Sequence, residues 1–109
     1  MGSKYVDTTS IMQIIGCVYN NPQLLEATDR YTIVDEDFAD PFHKTIFGAI
    51  YKIHELGANK ITLESISDFL SSRPKSAALF KQGKGEEWLL KVSESATPST
   101  FDYYYGRLK

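Results

Sequence analysis

The sequence predicts an all-α domain, a compact bundle of about six or seven short helices, and three observations lead there. Apolar residues recur at i, i+3, i+4 and i+7 through almost the whole chain, the spacing that puts one stripe on one face of a helix. A polar cap residue stands directly before proline at Asn21-Pro22, Asp40-Pro41 and Thr97-Pro98, a pairing that ends one helix and begins the next. Strand-like alternation is confined to Tyr31-Thr32-Ile33-Val34, a lone segment with nothing to pair with.

The elements follow in order. Ile11, Ile14, Ile15 and Val18 form the first stripe, capped by Thr9 or Ser10 and stopped by Asn20-Asn21-Pro22. Asn21 as N-cap and Pro22 at the first helical position start a short helix that turns Leu24 and Leu25 inward and frays near Asp29-Arg30. The acidic run Asp35-Glu36-Asp37 leads into a turn that tucks Phe38 under the fold. Asp40-Pro41 opens the longest helix, with Phe42, Ile46, Phe47, Ile50 and Ile53 as its stripe and Gly57 as a left-handed C-terminal cap. Thr62 caps a helix burying Leu63, Ile66, Phe69 and Leu70, which weakens at Ser71-Ser72-Arg73-Pro74. From 73 to 85 the pattern gives a loop with a short helical piece over Ala77 to Lys81. Trp88, Leu89, Val92 and Ala96 mark the next helix, with Trp88 in the core beside Val92. Thr97-Pro98 starts the last, striped by Phe101, Tyr104, Tyr105 and Leu108. Its pattern reaches Lys109 without a stop signal, as expected of a helix that continues in a longer parent chain. Gly16, mid-helix, predicts a close approach by a neighbouring helix.

Composition bounds the rest. A chain of 109 residues fits one domain, with an expected radius of gyration of ~13 Å. With 42% hydrophobic and 13% aromatic residues it can build a core without cross-links. No run approaches the ~18 apolar residues of a membrane span, and the polar first ten residues do not resemble a signal peptide. Met1-Gly2-Ser3 resembles an expression remnant, so residues 1–9 are expected to be disordered or tag-derived and 10–109 to be the domain. The single Cys17 excludes an internal disulfide and fits a cytoplasmic protein. A net charge of −2 argues against a surface that grips phosphates throughout.

Chemistry-bearing patterns are sparse. The nearest approach to a phosphate-binding loop, residues 78–85, lacks the first glycine, the terminal hydroxyl and a preceding strand, so no nucleotide site is expected. His43 and His54 share a helix but stand ~16 Å apart along its axis, and Cys17 has no partner at ligand spacing, so no metal site is expected. His43 is read as a hydrogen-bond donor within the fold. The acidic cluster Asp35, Glu36, Asp37 and Asp40 lacks the glycine and distal glutamate of a calcium loop and reads as a solvated capping region. Arg73, Lys75, Lys81 and Lys84 form a basic stretch that offers a partner or DNA surface, or a solvated loop, with Glu86-Glu87 following at once. Tyr103 lies off the last stripe and faces outward, with Arg107 one turn on; together they are candidates for an interface. No catalytic constellation appears.

Three stretches, in order, resemble the N-terminal domain of DnaB-like replicative helicases. The first runs from Ile11 to Pro22, an opening helix with the internal Gly16 and a closing Asn21-Pro22. The second and most specific is Asp37-Phe38-Ala39-Asp40-Pro41-Phe42-His43-Lys44-Thr45-Ile46-Phe47, continuing to Leu56-Gly57: an acidic-Phe turn, a helix with His then Ile-Phe, and a glycine stop. The third is Ala96-Thr97-Pro98-Ser99 followed by Tyr103-Tyr104, similar to the family's entry into a helical hairpin. Together they span roughly residues 10–109. Arg73 to Gly85 departs from the family, being longer and more basic than its usual connector, which suggests a divergent phage or plasmid member.

The resemblance implies a non-catalytic assembly and docking domain of a hexameric helicase in a bacterial or phage-infected cell. ATP and magnesium would belong to a C-terminal motor domain outside this chain. The N-terminal domains would pair into a collar and present surfaces to primase or a helicase loader, with weak or absent DNA contact by this domain alone. The alternative from another class is a small helical DNA-binding module using the basic 73–84 loop.

Overall fold

The computed structural model describes residues 8–108; the expected disordered or tag-derived segment lies outside them except for Thr8 and Thr9, which begin the first helix. Six α-helices follow in order: α1 (Thr8–Asn20), α2 (Pro41–Glu55), α3 (Leu63–Leu70), α4 (Pro74–Gln82), α5 (Gly85–Ser95) and α6 (Phe101–Leu108). Short 3-10 turns occupy Pro22–Glu26, Asp35–Asp37 and Pro98–Thr100. Among the described residues there is no strand, and the radius of gyration is 13.2 Å.

Helix α1 is the axle of the bundle. Ile11, Ile14, Ile15, Gly16, Cys17 and Val18 are all buried, and α2, α5 and α6 pack around them. Residues Gln13, Gly16 and Asn20 share one face, at i, i+3 and i+7, and that face meets α5. A Cβ on Gly16 would lie 2.4 Å from the Val92 carbonyl oxygen and 2.9 Å from the Ala96 Cβ, so only hydrogen fits there. On either side of this contact, side chains of α1 satisfy carbonyls at the end of α5. Gln13 Nε2 donates to the Ser95 carbonyl (3.0 Å) while its Oε1 accepts from the Thr97 N–H (3.0 Å), and Asn20 Nδ2 donates to the Ser93 carbonyl (2.8 Å). The last four carbonyls of a helix have no partner within it; α5 finds two of its partners on α1.

The proline signals act in two ways. At Asp40-Pro41 the aspartate side chain accepts from the Phe42 N–H at 2.9 Å and a fifteen-residue α-helix follows. At Asn21-Pro22 and Thr97-Pro98 no side-chain cap bond forms, and the product is a 3-10 turn. The expected α-helices at these two positions are therefore corrected: one is only Pro22–Glu26, and the other begins as a turn before α6 takes over at Phe101. Thr62 makes a full capping box with Ser65, bonds of 2.9 and 3.0 Å running in both directions. Gly57 follows α2 at φ +109°, a conformation that disfavours any residue with a Cβ.

Residues 73–85 are a correction of larger consequence. They are not a loop with a short helical piece; α4 is a full helix from Pro74, with Arg73 at its N-cap position. Pro74 stands where a terminator of α3 would, yet its fixed φ and missing N–H suit the first position of a new helix equally well. Segment 78–85, the phosphate-loop near-miss, accordingly runs from α4 through a turn into α5, with Lys84 left-handed at φ 55°. Trp88 is half-buried and not fully core; Leu89 beside it is sealed.

If the Gly16 contact sets the spacing of α1 and α5, filling it must push them apart. Gly16→Leu should lower stability by about 1–3 kcal/mol, the usual cost of overpacking, with Gly16→Ala showing part of the loss. Urea unfolding followed by circular dichroism measures this; an unchanged midpoint for both variants would mean the two helices separate freely.

Candidate interaction surface

Segment 27–34 shows how α6 is held and which of its faces remains outward. Tyr31 packs edge-on against Phe101 (4.8 Å between centroids) and Tyr105 (5.1 Å), and its hydroxyl donates to the Asp102 carboxylate. That hydrogen bond, chiefly, raises the Tyr31 pKa, because ionisation would abolish it. The Thr32 N–H donates to the Tyr105 hydroxyl at 2.8 Å, and Arg30 reaches Asp102 at 3.5 Å. The only strand-like segment of the sequence is thus stapled to α6 by side chains in place of a β partner. With Phe101 and Leu108 buried and Tyr105 committed inward, the opposite face carries Tyr103, 61% exposed. The Arg107 guanidinium lies 5.9 Å from the Tyr103 ring centroid, the i, i+4 neighbour on that face. The two residues expected to form an outward pair are brought together.

The basic stretch is not one patch. Lys81 and Lys84 line a groove of about 330 Å³ between α3, α4 and α5, floored by Leu70, Ala77 and Phe80, and share it with Glu86 and Glu87. Arg73 lies on a second groove, of about 290 Å³, between α2, α3 and α4. Its guanidinium sits 4.2 Å from the centre of the Phe69 ring. Lys75 is exposed and lines neither groove. What the sequence hid is the company Arg73 keeps: Lys44 and Lys52 of α2 line the same groove. They lie over twenty residues away in the chain, two helical turns apart on one face, and only the packing of α2 on α3 and α4 reveals the cluster.

Of the residues expected to shape the fold, Phe38 is sealed and packs on Phe47, 5.2 Å between centroids. Asp40, Pro41 and Gly57 hold their places at the two ends of α2, and Pro22 is buried. Pro98 opens the turn before α6 and is exposed. His43 needs correction. Instead of donating within the fold, its ring joins a three-ring cluster with Phe42 (5.7 Å) and Trp88 (5.3 Å), which also touch each other, and its buried Nδ1 has no hydrogen-bond partner. Burial lowers its pKa from the ordinary 6.5, partly offset by the Asp40 carboxylate. His54, eleven residues on, turns away to pair with Glu26 at 2.8 Å. Among the described residues no group of three or more metal-ligating side chains comes together, and no helix is long and apolar enough to cross a membrane.

A histidine whose folded pKa is depressed favours the neutral ring in the native state. The unfolded chain then binds the extra proton first, so His43 should erode stability as the pH falls from about 6.5 toward its lower folded value. His43→Phe should remove this acid-sensitive component while keeping the aromatic contact. His43→Ala should lower stability by about 1–2 kcal/mol at neutral pH, within the ordinary range for a lost contact. Melting curves from pH 7.5 to 5 are the check; wild type and His43→Phe falling in parallel would clear His43 of the effect.

The family model described as DnaB-like helicase N terminal domain matches residues 8–109. The chain is also similar to the SPbeta prophage-derived uncharacterized protein YorI of Bacillus subtilis (strain 168), 30% identical over 103 residues. That match covers 94% of this chain but only 20% of the relative, so the chain spans about a fifth of its length. A prophage-derived relative is consistent with the expected phage membership. No solved structure matches the chain. Matched from the first residue of α1 through α6, and all-helical as that resemblance required, this chain belongs to the DnaB-like helicase N-terminal domain family.

Proposed function

We propose that the chain is the non-catalytic assembly and docking domain of a DnaB-like replicative helicase of phage type, working in the cytoplasm of a bacterial or phage-infected cell. The family match over the whole folded unit carries this reading. In the parent protein, ATP and magnesium would be handled by a separate motor domain, and six N-terminal domains would associate into a collar offered to primase or a loader. The outward face of α6 suits such contacts: Tyr103 presents a large amphipathic ring beside an arginine, the residue types that dominate interface energetics.

The rival reading, a DNA-binding module built on residues 73–84, loses its footing once the cations are divided. Lys81 and Lys84 share a groove with Glu86 and Glu87, and Arg73 lines a different one.

Sedimentation of the chain, alone and mixed with the cognate primase and loader, tests the proposal. The expected result is weak self-association and a complex with one of the two. Tyr103→Ala should weaken whichever contact uses α6 by about 1–2 kcal/mol, roughly tenfold or more in Kd. A chain that ignores both proteins and instead binds DNA with steep salt dependence would reverse the choice between the two readings.

A further inference from the structure

We propose that the groove between α2, α3 and α4 docks an acidic helical segment of a partner protein, held by Lys44, Lys52 and Arg73 over an open floor at Gly48. The proposal deepens the docking reading above and rests on it only for the existence of a protein partner.

The first observation is Gly48 itself. It sits in the middle of the fifteen-residue α2, where glycine weakens a helix relative to alanine. At Gly16 the fold supplies the reason, a backbone pressed against the missing Cβ. At Gly48 it supplies none: an added Cβ would meet nothing within 4 Å. The space over Gly48 is open, and it lines the groove. A bare helix surface that the domain does not use lets a chain from outside come close to the backbone.

The second observation is charge. Lys44 and Lys52 stand one turn before and one turn after Gly48 on the same face, ~12 Å apart along the axis. Arg73 approaches from the opposite wall, its guanidinium laid over Phe69. Among the described residues no carboxylate lines the groove. The Lys44 ammonium makes no ion pair or hydrogen bond among the described residues, its backbone N–H alone being engaged, by the Asp40 carbonyl. Lys52 is paired with Glu55 at 3.1 Å, but both side chains are more than half exposed, and an exposed pair of this kind exchanges readily.

These features select the occupant. Carboxylates two turns apart on a helix repeat at ~10–12 Å, the separation of the two lysines, and a small residue between them would rest on Gly48. Ala49, Phe69 and Leu70 supply apolar contact beneath. A nucleic-acid backbone fits less well, because the groove is short and the chain as a whole carries a net charge of −2.

Fluorescence anisotropy with the full chain tests the groove. The probe is a labelled synthetic helix of about 18 residues, built of Ala and Leu with Glu pairs two turns apart. A Gln-for-Glu version and single- and double-stranded oligonucleotides serve as alternatives. The acidic helix should bind and the Gln version should not, with affinity falling on the order of tenfold between low and high salt. Lys44→Glu combined with Arg73→Glu should cost at least about tenfold in Kd. Gly48→Leu should block binding while the melting temperature holds, and Gly48→Ala should raise the melting temperature. Binding that survives the charge reversals or Gly48→Leu overturns the proposal, as does preferential binding of the oligonucleotides. Failure here with primase or loader binding intact removes only the groove; failure of both removes the docking reading as well.

Discussion

Helices α1 and α5 meet backbone to backbone at Gly16, and the placement of the other elements follows from how closely they meet. With hydrogen as the only side chain, the Val92 carbonyl can lie where a Cβ would otherwise be. This proximity puts Gln13 and Asn20 within reach of Ser93, Ser95 and Thr97, so the end of α5 is capped by side chains of a helix more than seventy residues earlier in the chain. Capping from a distance welds the two ends of the sequence together. It also fixes where the chain leaves α5, and hence where Pro98 turns it into α6 along another face of α1.

The periphery is organised around that axle by polar contacts that also decide which surfaces remain outward. Tyr31, Asp102, Thr32 and Tyr105 tie segment 27–34 to the inner side of α6, and His54 with Glu26 ties the end of α2 to the turn after α1. These links are mostly exposed, so each contributes little alone; their effect is orientation. They turn Tyr103 outward on α6 and aim Lys44, Gly48 and Lys52 toward α3 and α4. For the docking role proposed above, a rigid core that presents defined faces would be the useful product of folding.

One tension in the fold is local. His43 packs against Phe42 and Trp88 with an unpartnered buried nitrogen, which a purely apolar residue would avoid. Lys84 adopts a left-handed conformation that glycine would hold with less strain. Both lie along the α2–α4–α5 side of the bundle, away from the tight contact at Gly16.

The sequence by itself determined the elements whose signals are local. The stripes of α1, α2 and α6, the Asp40 and Thr62 caps and the Gly57 stop depend on residues three or four apart, and they appear where the spacing put them. Gly16 announced a close approach, though not its partner. Motif order along the chain also carried the family, because it needs no coordinates. Tertiary structure decided what depends on distant residues meeting. Pro74 reads equally as a stop or a start, and only packing against α2, α3 and α5 makes α4 a full helix. Asn21 and Thr97 are good caps in isolation, yet neither makes a side-chain cap bond in the fold and each opens a 3-10 turn. The basic residues of 73–84 look contiguous in one dimension, but a helix turns them about 100° per residue, so Arg73 joins Lys44 and Lys52 while Lys81 and Lys84 join two glutamates. Charge adjacency along a chain is not adjacency in space, and the surfaces through which this domain would meet its partners are set by the latter.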